Sequence, residues 1–464
     1  MKSTTRRRLV VYWAVGSLLL TLAPKSVPAT SEPVREGKCA GAEELFPDHN
    51  PGPGSLKSIP VPQPVALSDY VRDRATAIVL GKALFWDMQV GSDGIQACAS
   101  CHFRAGADPR SINQLNPGGQ DNLNTTIDLG VNRQLRLEDF PLHALSDPTN
   151  RRSMALRDVD DVVSSAGVKL SRFVGVTPGA TRDVVAPVAD PVFNLAGLNT
   201  RRAEPRNTPT VINAAFNRRQ FWDVRATNLF NGVNPFGAGD ANARVLAADG
   251  SGLITPVKIR IDNASLASQA VGPPLSDREM GSLGRRFRDI GKRLAPARPL
   301  KQQLVAVDDS VLGPYARTSG DRDLDEFGDH GLSTTYRTLI EKAFQPTWWR
   351  ASQIVVVQPD ESLRFQPAPN RPLRANEYTM LEHNFSLFFG LAVQLYEMTL
   401  ISDDAPVDRF FEGDVNALTP QQKRGMDVFT GDAACSGCHS GAETTDNSVR
   451  ILLGTVVNGV QQPA

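Results

Sequence analysis

The sequence predicts a mainly α fold made of two similar helical domains with long loop insertions, and three observations carry that prediction. Cys-x-x-Cys-His occurs twice, as Cys98, Cys101, His102 and as Cys435, Cys438, His439. Each copy follows a helix-like stretch with Gly and Phe four residues apart, Gly81 with Phe85 and Gly425 with Phe429. No alternating apolar run is long enough to demand a large sheet. Among the helix starts, Thr419-Pro420-Gln421-Gln422 reads as a capping box with proline at the first helical position. Thr208-Pro209 reads as another start, and Ser68 as the cap of the helix that leads to Phe85. Residues 104–199 and 235–263, rich in Gly, Asp, Asn and Pro, read as loop insertions.

The motif spacing has a chemical reason. Two thiols one helical turn apart each add to one vinyl group of a haem, and the next residue's imidazole then reaches the iron. The two motifs use four of the five cysteines and two of the six histidines. A four-cysteine zinc site or a pair of redox disulfides is the alternative, but neither needs a histidine directly after both second cysteines. Two covalently bound c-type haems are therefore expected.

The N-terminus agrees with export. Lys2 and Arg6, Arg7 and Arg8 precede an apolar run over 9–23, followed by Val27-Pro28-Ala29, so residues 1–29 read as a secretory signal peptide. An uncleaved anchor is the alternative, although about 15 apolar residues are short for a bilayer. Cys39 lacks the apolar-small pattern that a lipid anchor needs and reads as a free thiol. Residues 30–65 form a Pro-rich tether. About 435 residues then remain, enough for two or three domains, with 66–370 as the first haem domain and 371–464 as the second. Net charge is zero and no Lys/Arg cluster lies outside the signal, which argues against a nucleic-acid partner. The apolar stretch 384–400 is interrupted by Gln394 and Glu397 and reads as a buried helix rather than a membrane span.

Four further blocks extend the pattern beyond the motifs. Leu80-Gly81-Lys82-Ala83-Leu84-Phe85-Trp86-Asp87 precedes the first, and Arg206-Asn207-Thr208-Pro209-Thr210-Val211 is followed by Phe221-Trp222-Asp223-Val224-Arg225-Ala226. Gln269-Ala270-Val271-Gly272-Pro273 then comes before Glu279-Met280, and Asp408-Arg409-Phe410 before the second motif. In that order the blocks resemble the bacterial dihaem cytochrome c peroxidase family, which includes the MauG-like enzymes. The resemblance implies two cytochrome c-like domains in a periplasmic enzyme that reduces hydrogen peroxide with electrons from a small cytochrome c or cupredoxin. It makes His102 the proximal ligand of the peroxidatic haem and His439 that of the electron-entry haem. Glu279 takes an acid–base role, Gln269 positions peroxide or water, and Trp222 lies between the haems. Without the resemblance, Glu279 reads as a solvated charge beside Arg278 and Trp222 as a core residue. Arg225 pairs either with Asp223 or with a haem propionate. The family also binds Ca2+ between its domains, but no dense Asp/Asn loop marks ligands here.

Two departures matter. Family members with a six-coordinate first haem place a second histidine soon after the first motif, whereas residues 103–141 hold no His or Met, and His143 beyond them reads as a loop or core histidine. A five-coordinate first haem is expected. The sixth ligand of the second haem, Met or Tyr, comes well downstream of its motif in the family, and residues 440–464 contain no Met, Tyr, His or Lys. The second domain therefore reads as incomplete, and His383 and Met398, the upstream substitutes, read as core. Two rivals stand beside the peroxidase: a MauG-like oxidase acting on a protein side chain, and an electron carrier without turnover.

Overall fold

The computed structural model describes residues 54–110, 114–118, 125–318, 328–431, 433–453, 456–457 and 460–461. The signal peptide, Cys39 and most of the tether lie outside the described residues. All described residues fall within one unit, Asn50–Ala464, and the expected domain boundary at 370/371 runs through it.

The chain is not mainly α. Helix accounts for 28% and strand for 16% of the described residues. Among the described residues, nine α-helices alternate with fifteen strands of two to five residues. Strands this short leave no alternating pattern long enough to recognise, so the periodicity that finds helices passes over them. Eight lie within residues 104–199, where loops are expected: Gln114–Asn116 pairs with Val162–Ser164, and three hairpins follow. Local turn chemistry closes them. Asp147 Oδ1 accepts from the Thr149 N–H at 2.9 Å in one, and Gly179 takes φ +79° at the tip of another. A further hairpin, Val245–Ala248 with Ile254–Val257, packs Leu246, Ala248 and Ile254 against Val355, Val357 and Tyr378.

The helices are α1 (Arg74–Trp86), α2 (Ser265–Ala270), α3 (Phe287–Leu294), α4 (Tyr336–Ala343), α5 (Met380–His383), α6 (Phe385–Glu397), α7 (Pro406–Phe411), α8 (Pro420–Thr430) and α9 (Val449–Leu453). The helix α8 starts at the Thr419 capping box: the Gln422 N–H donates to Thr419 Oγ1 at 3.2 Å, and the Thr419 N–H to Gln422 Oε1 at 2.8 Å. Asp73, not Ser68, caps α1 by accepting from the Thr76 N–H at 3.1 Å, because Ser68 is taken up in a separate short turn. No helix starts at Pro209. The Val211 N–H donates instead to the Gly106 carbonyl at 3.2 Å, so pairing with the loop after the first motif overrides the local signal.

All of α6 is buried, and α1 crosses it so closely that a Cβ on Gly81 would overlap the Ala392 carbonyl oxygen. Among the described residues, no helix is long and apolar enough to cross a membrane. Gly425, the matching glycine of α8, has nothing within 4 Å of where its Cβ would be. The two positions should answer oppositely to the same change. Gly81→Ala is expected to cost about 1–3 kcal/mol through overpacking. Gly425→Ala is expected to gain about 1 kcal/mol from helix propensity. Denaturant titration of the haem-loaded protein checks both.

Candidate functional site

Each Cys-x-x-Cys-His motif forms one short turn, Cys98–Ser100 and Cys435–Gly437. The histidine N–H closes it on the first cysteine's carbonyl, at 3.1 Å for His102 and 2.9 Å for His439. The ring of His102 donates through Nδ1–H to the Gly106 carbonyl at 2.7 Å, and that of His439 to the Thr444 carbonyl at 3.1 Å. A carbonyl only accepts, so Nδ1 carries the proton and Nε2 keeps the lone pair a metal needs. The helix repeat is matched in space as well. Phe85 lies 6.1 Å from the His102 ring and Phe429 lies 6.3 Å from that of His439, centroid to centroid.

The surroundings of the two motifs differ. Cys435 and Cys438 are exposed, whereas burial pushes the Cys101 thiol up to about 11 and that of Cys98 higher still. Cys98, Cys101 and His102 line a cavity, and Trp222, Gln269 and Glu279 line it too. Three chain segments far apart in sequence therefore bring the expected residues to one cavity. Gln269 comes from α2, and Glu279 from a turn in which Ser276 Oγ accepts from the Glu279 N–H at 3.3 Å.

Trp222 is not a core residue. It is 67% exposed, and its Nε1–H donates to the Asn207 carbonyl at 3.1 Å. Phe221 and Val224 beside it take φ +66° and +54°, a strained geometry for side chains of this size and one that gathers at functional sites. Arg225 pairs with Asp223 at 2.9 Å and stacks 3.7 Å above the Phe221 ring. The loop after the second motif docks three residues away: the Arg218 N–H donates to the Asn447 carbonyl at 2.8 Å, and Asn447 Nδ2 donates to the Arg219 carbonyl at 3.0 Å.

Burial pushes Glu279 up to about 7, helped by the negative charge of Glu204 and opposed by a hydrogen bond from Ser276. Glu204 and Glu397 also line the cavity. The Glu397 carboxyl, at the end of α6, is pushed up to about 8 by burial and has no hydrogen-bond partner among the described residues. Sequence reasoning missed both acids. Glu204 sits in a run of arginines that looks like a solvated face, but Glu397 carried a signal, as a lone acid in the most apolar stretch of the chain.

The remaining candidates lie elsewhere. His143 is on a surface hairpin, 2.9 Å from Asp158 Oδ1, so His102 is the one histidine lining the cavity among the described residues. Met398 belongs to the main core, and burial pushes His383 down to about 4. Asp128, Asp160 and Asp161 lie close together, but Asp161 is engaged by the backbone N–H groups of Asp128 and Leu129.

The first cavity fits a haem. Two thiols one turn apart and the His102 imidazole would hold it, and Phe85, Val211, Ala270, Met280 and Val393 supply an apolar lining. Arg206 and Arg225 at the wall suit the propionates.

A family model described as di-haem cytochrome c peroxidase matches residues 75–165 and 180–307. Those segments contain the first motif, Trp222, Gln269 and Glu279, and leave the second motif outside. Curated relatives include a cytochrome-c peroxidase of Denitromonas iodatirespirans, 50% identical over 12% of this chain and 15% of its own length. The cytochrome c551 peroxidase of Pseudomonas aeruginosa is 47% identical over 11% and 15%. The methylamine utilization protein MauG of Methylorubrum extorquens is 44% identical over 17% and 22%. The matched stretches thus span less than a quarter of these relatives.

Proposed function

The chain is a member of the di-haem cytochrome c peroxidase family, and from that premise we propose that it reduces hydrogen peroxide to water in the periplasm with electrons from a small redox protein. One observation carries the reading: a single cavity gathers the thiols and imidazole of the first motif together with Gln269 and Glu279. Haem bound there supplies the iron at which the O–O bond is cleaved. Heterolysis also needs a proton moved from the inner peroxide oxygen to the leaving one, and a carboxyl with a pKa near neutrality is suited to take it and give it back. Glu279 has that role. The Gln269 carboxamide orients peroxide by hydrogen bonding. Electrons enter at the second motif, whose loop rests beside residues 217–219, and pass by way of the Trp222 ring.

His102 is the one histidine at the cavity among the described residues, so it would hold a haem bound there, and such a haem would be ready for peroxide at rest. One high-spin ferric haem is the expected spectrum; two low-spin haems would count for an electron carrier instead. Trp222→Phe is expected to slow electron transfer between the haems in stopped-flow mixing with peroxide and to leave the resting spectrum unchanged. Unaltered transfer removes Trp222 from the route.

The exposure of Trp222 favours a second reading, in which the oxidising equivalents are filled from a side chain of a partner protein. Turnover with a small reduced cytochrome or cupredoxin, and none without it, separates the two.

A further inference from the structure

Residues 165–168 run as an extended strap between two segments that each carry an acid. On one edge the Gly167 N–H donates to the Arg202 carbonyl at 2.8 Å, the Arg202 N–H to the Val168 carbonyl at 3.0 Å and the Glu204 N–H to the Ser165 carbonyl at 3.3 Å. On the other edge the Val168 N–H donates to the Arg278 carbonyl at 3.3 Å, and a Cβ on Gly167 would overlap that same oxygen. The strap therefore delivers Glu204 from one side and Glu279 from the other, and both side chains end on the cavity wall. Glu204 Oε1 is buried there without a hydrogen-bond partner among the described residues. A buried carboxylate oxygen that accepts nothing is costly, and a proton held with a neighbouring acid relieves that cost.

We propose that Glu204 is a positioning partner of Glu279: the two carboxyls retain one proton as a pair, which leaves Glu279 able to move the proton of the inner peroxide oxygen to the leaving one. The proposal rests on the peroxidase reading above. The reaction is H2O2 + 2e− + 2H+ → 2H2O, with both electrons from the small redox protein. Glu279 relocates the proton already on the inner oxygen to the leaving one, which departs as water; the pair ends with the proton it began with, and both consumed protons come from solvent as the remaining oxygen is reduced to the second water.

The charges around the pair are consistent with one retained proton. Arg278, Arg225 and Arg202 favour ionised Glu204 and Asp277 opposes them, yet burial outweighs the arginines and raises it. Burial and Glu204 together raise Glu279, against Ser276 and Arg225. Both carboxyls line the same cavity and the charge of Glu204 raises Glu279, so the acids titrate as a pair. Ser165 and both acids fall within the segments that match the family, and residues 166–168 of the strap fall between them.

Cyanide is the probe, because hydrogen cyanide must give up a proton as it binds ferric haem. In the haem-loaded full-length chain its association rate should rise with pH as Glu279 ionises. Glu204→Gln removes the like charge, so the rise should move to lower pH by about half a unit or more. Glu204→Ala should show the same shift without requiring Gln to fit, and Glu204→Asp should keep the wild-type profile. An unmoved profile in both neutral variants, with the haem spectrum intact, overturns the proposal and leaves the peroxidase reading standing. A rise that survives in Glu279→Gln overturns the role of Glu279 and the reading on which the proposal rests.

Discussion

Replacing Glu279 by Gln is expected to slow peroxide turnover by about 10²–10⁴-fold, the usual contribution of a positioned acid–base group, while both haems stay attached. Gln keeps the shape of the side chain and its place above Ser276 but can neither take nor return a proton. The sign of the pH dependence follows from the chemistry. Taking a proton from peroxide needs the carboxylate, and in the fold this carboxylate forms only as pH rises through about 7. Wild-type kcat/KM should therefore climb through neutrality, and the variant should be flat over the same range. Steady-state rates from pH 5 to 9 with a reduced small cytochrome, alongside the haem absorption spectrum, check both parts. A rate within a factor of about three of wild type would remove Glu279 from the mechanism.

Asp183→Asn is the largest stability loss expected, about 3–5 kcal/mol. Asp183 sits between two guanidiniums, 2.7 Å from Arg285 Nε and 2.7 Å from Arg293 Nε, and all three side chains are fully buried. Burial already pulls Arg293 down to about 10. Removing the carboxylate leaves two buried positive charges facing each other, compensated by backbone carbonyls and by the charges of Asp87, Asp93 and Asp289 further off. Those carbonyls link the loss to the site. Arg285 donates to Pro274 and Val90, both at 2.8 Å, which clips the turn bearing Glu279 to the chain entering the first motif. The Ser92 N–H reinforces that clip by donating to the Met280 carbonyl at 2.8 Å. Denaturant unfolding of the loaded protein is the measurement, and a midpoint within error of wild type would show that the cluster is not buried as described.

The legible and illegible parts of this molecule divide by range. The motif turns and the Gly–Phe helices repeat, and repetition is visible in one sequence; both histidines then meet a backbone carbonyl in the same way. Gln269, Glu279 and Trp222 reach one cavity through a resemblance in residue order, not through any local pattern. The short strands left no period to detect, and the helix start at Thr208-Pro209 lost to pairing with the Gly106 loop. Asp183, Arg285 and Arg293 look like ordinary surface charges until three distant segments bury them together. Their partners are more than a hundred residues apart, beyond what spacing can register.

The strap at 165–168 bears on what can be cut away or replaced in this protein. Residues 104–199 look like an appendage that engineering could trim, yet their middle stitches the two flanks of the cavity together and must be kept. The hairpin beyond it, Ser171–Gly175 with Val184–Pro187, turns at Gly179, whose N–H donates to the Arg293 carbonyl at 2.8 Å, and its descending arm carries Asp183 into the buried cluster. That tip is therefore moored to the core as firmly as the strap, and a tag, a spacer or a grafted loop should be tolerated at neither place.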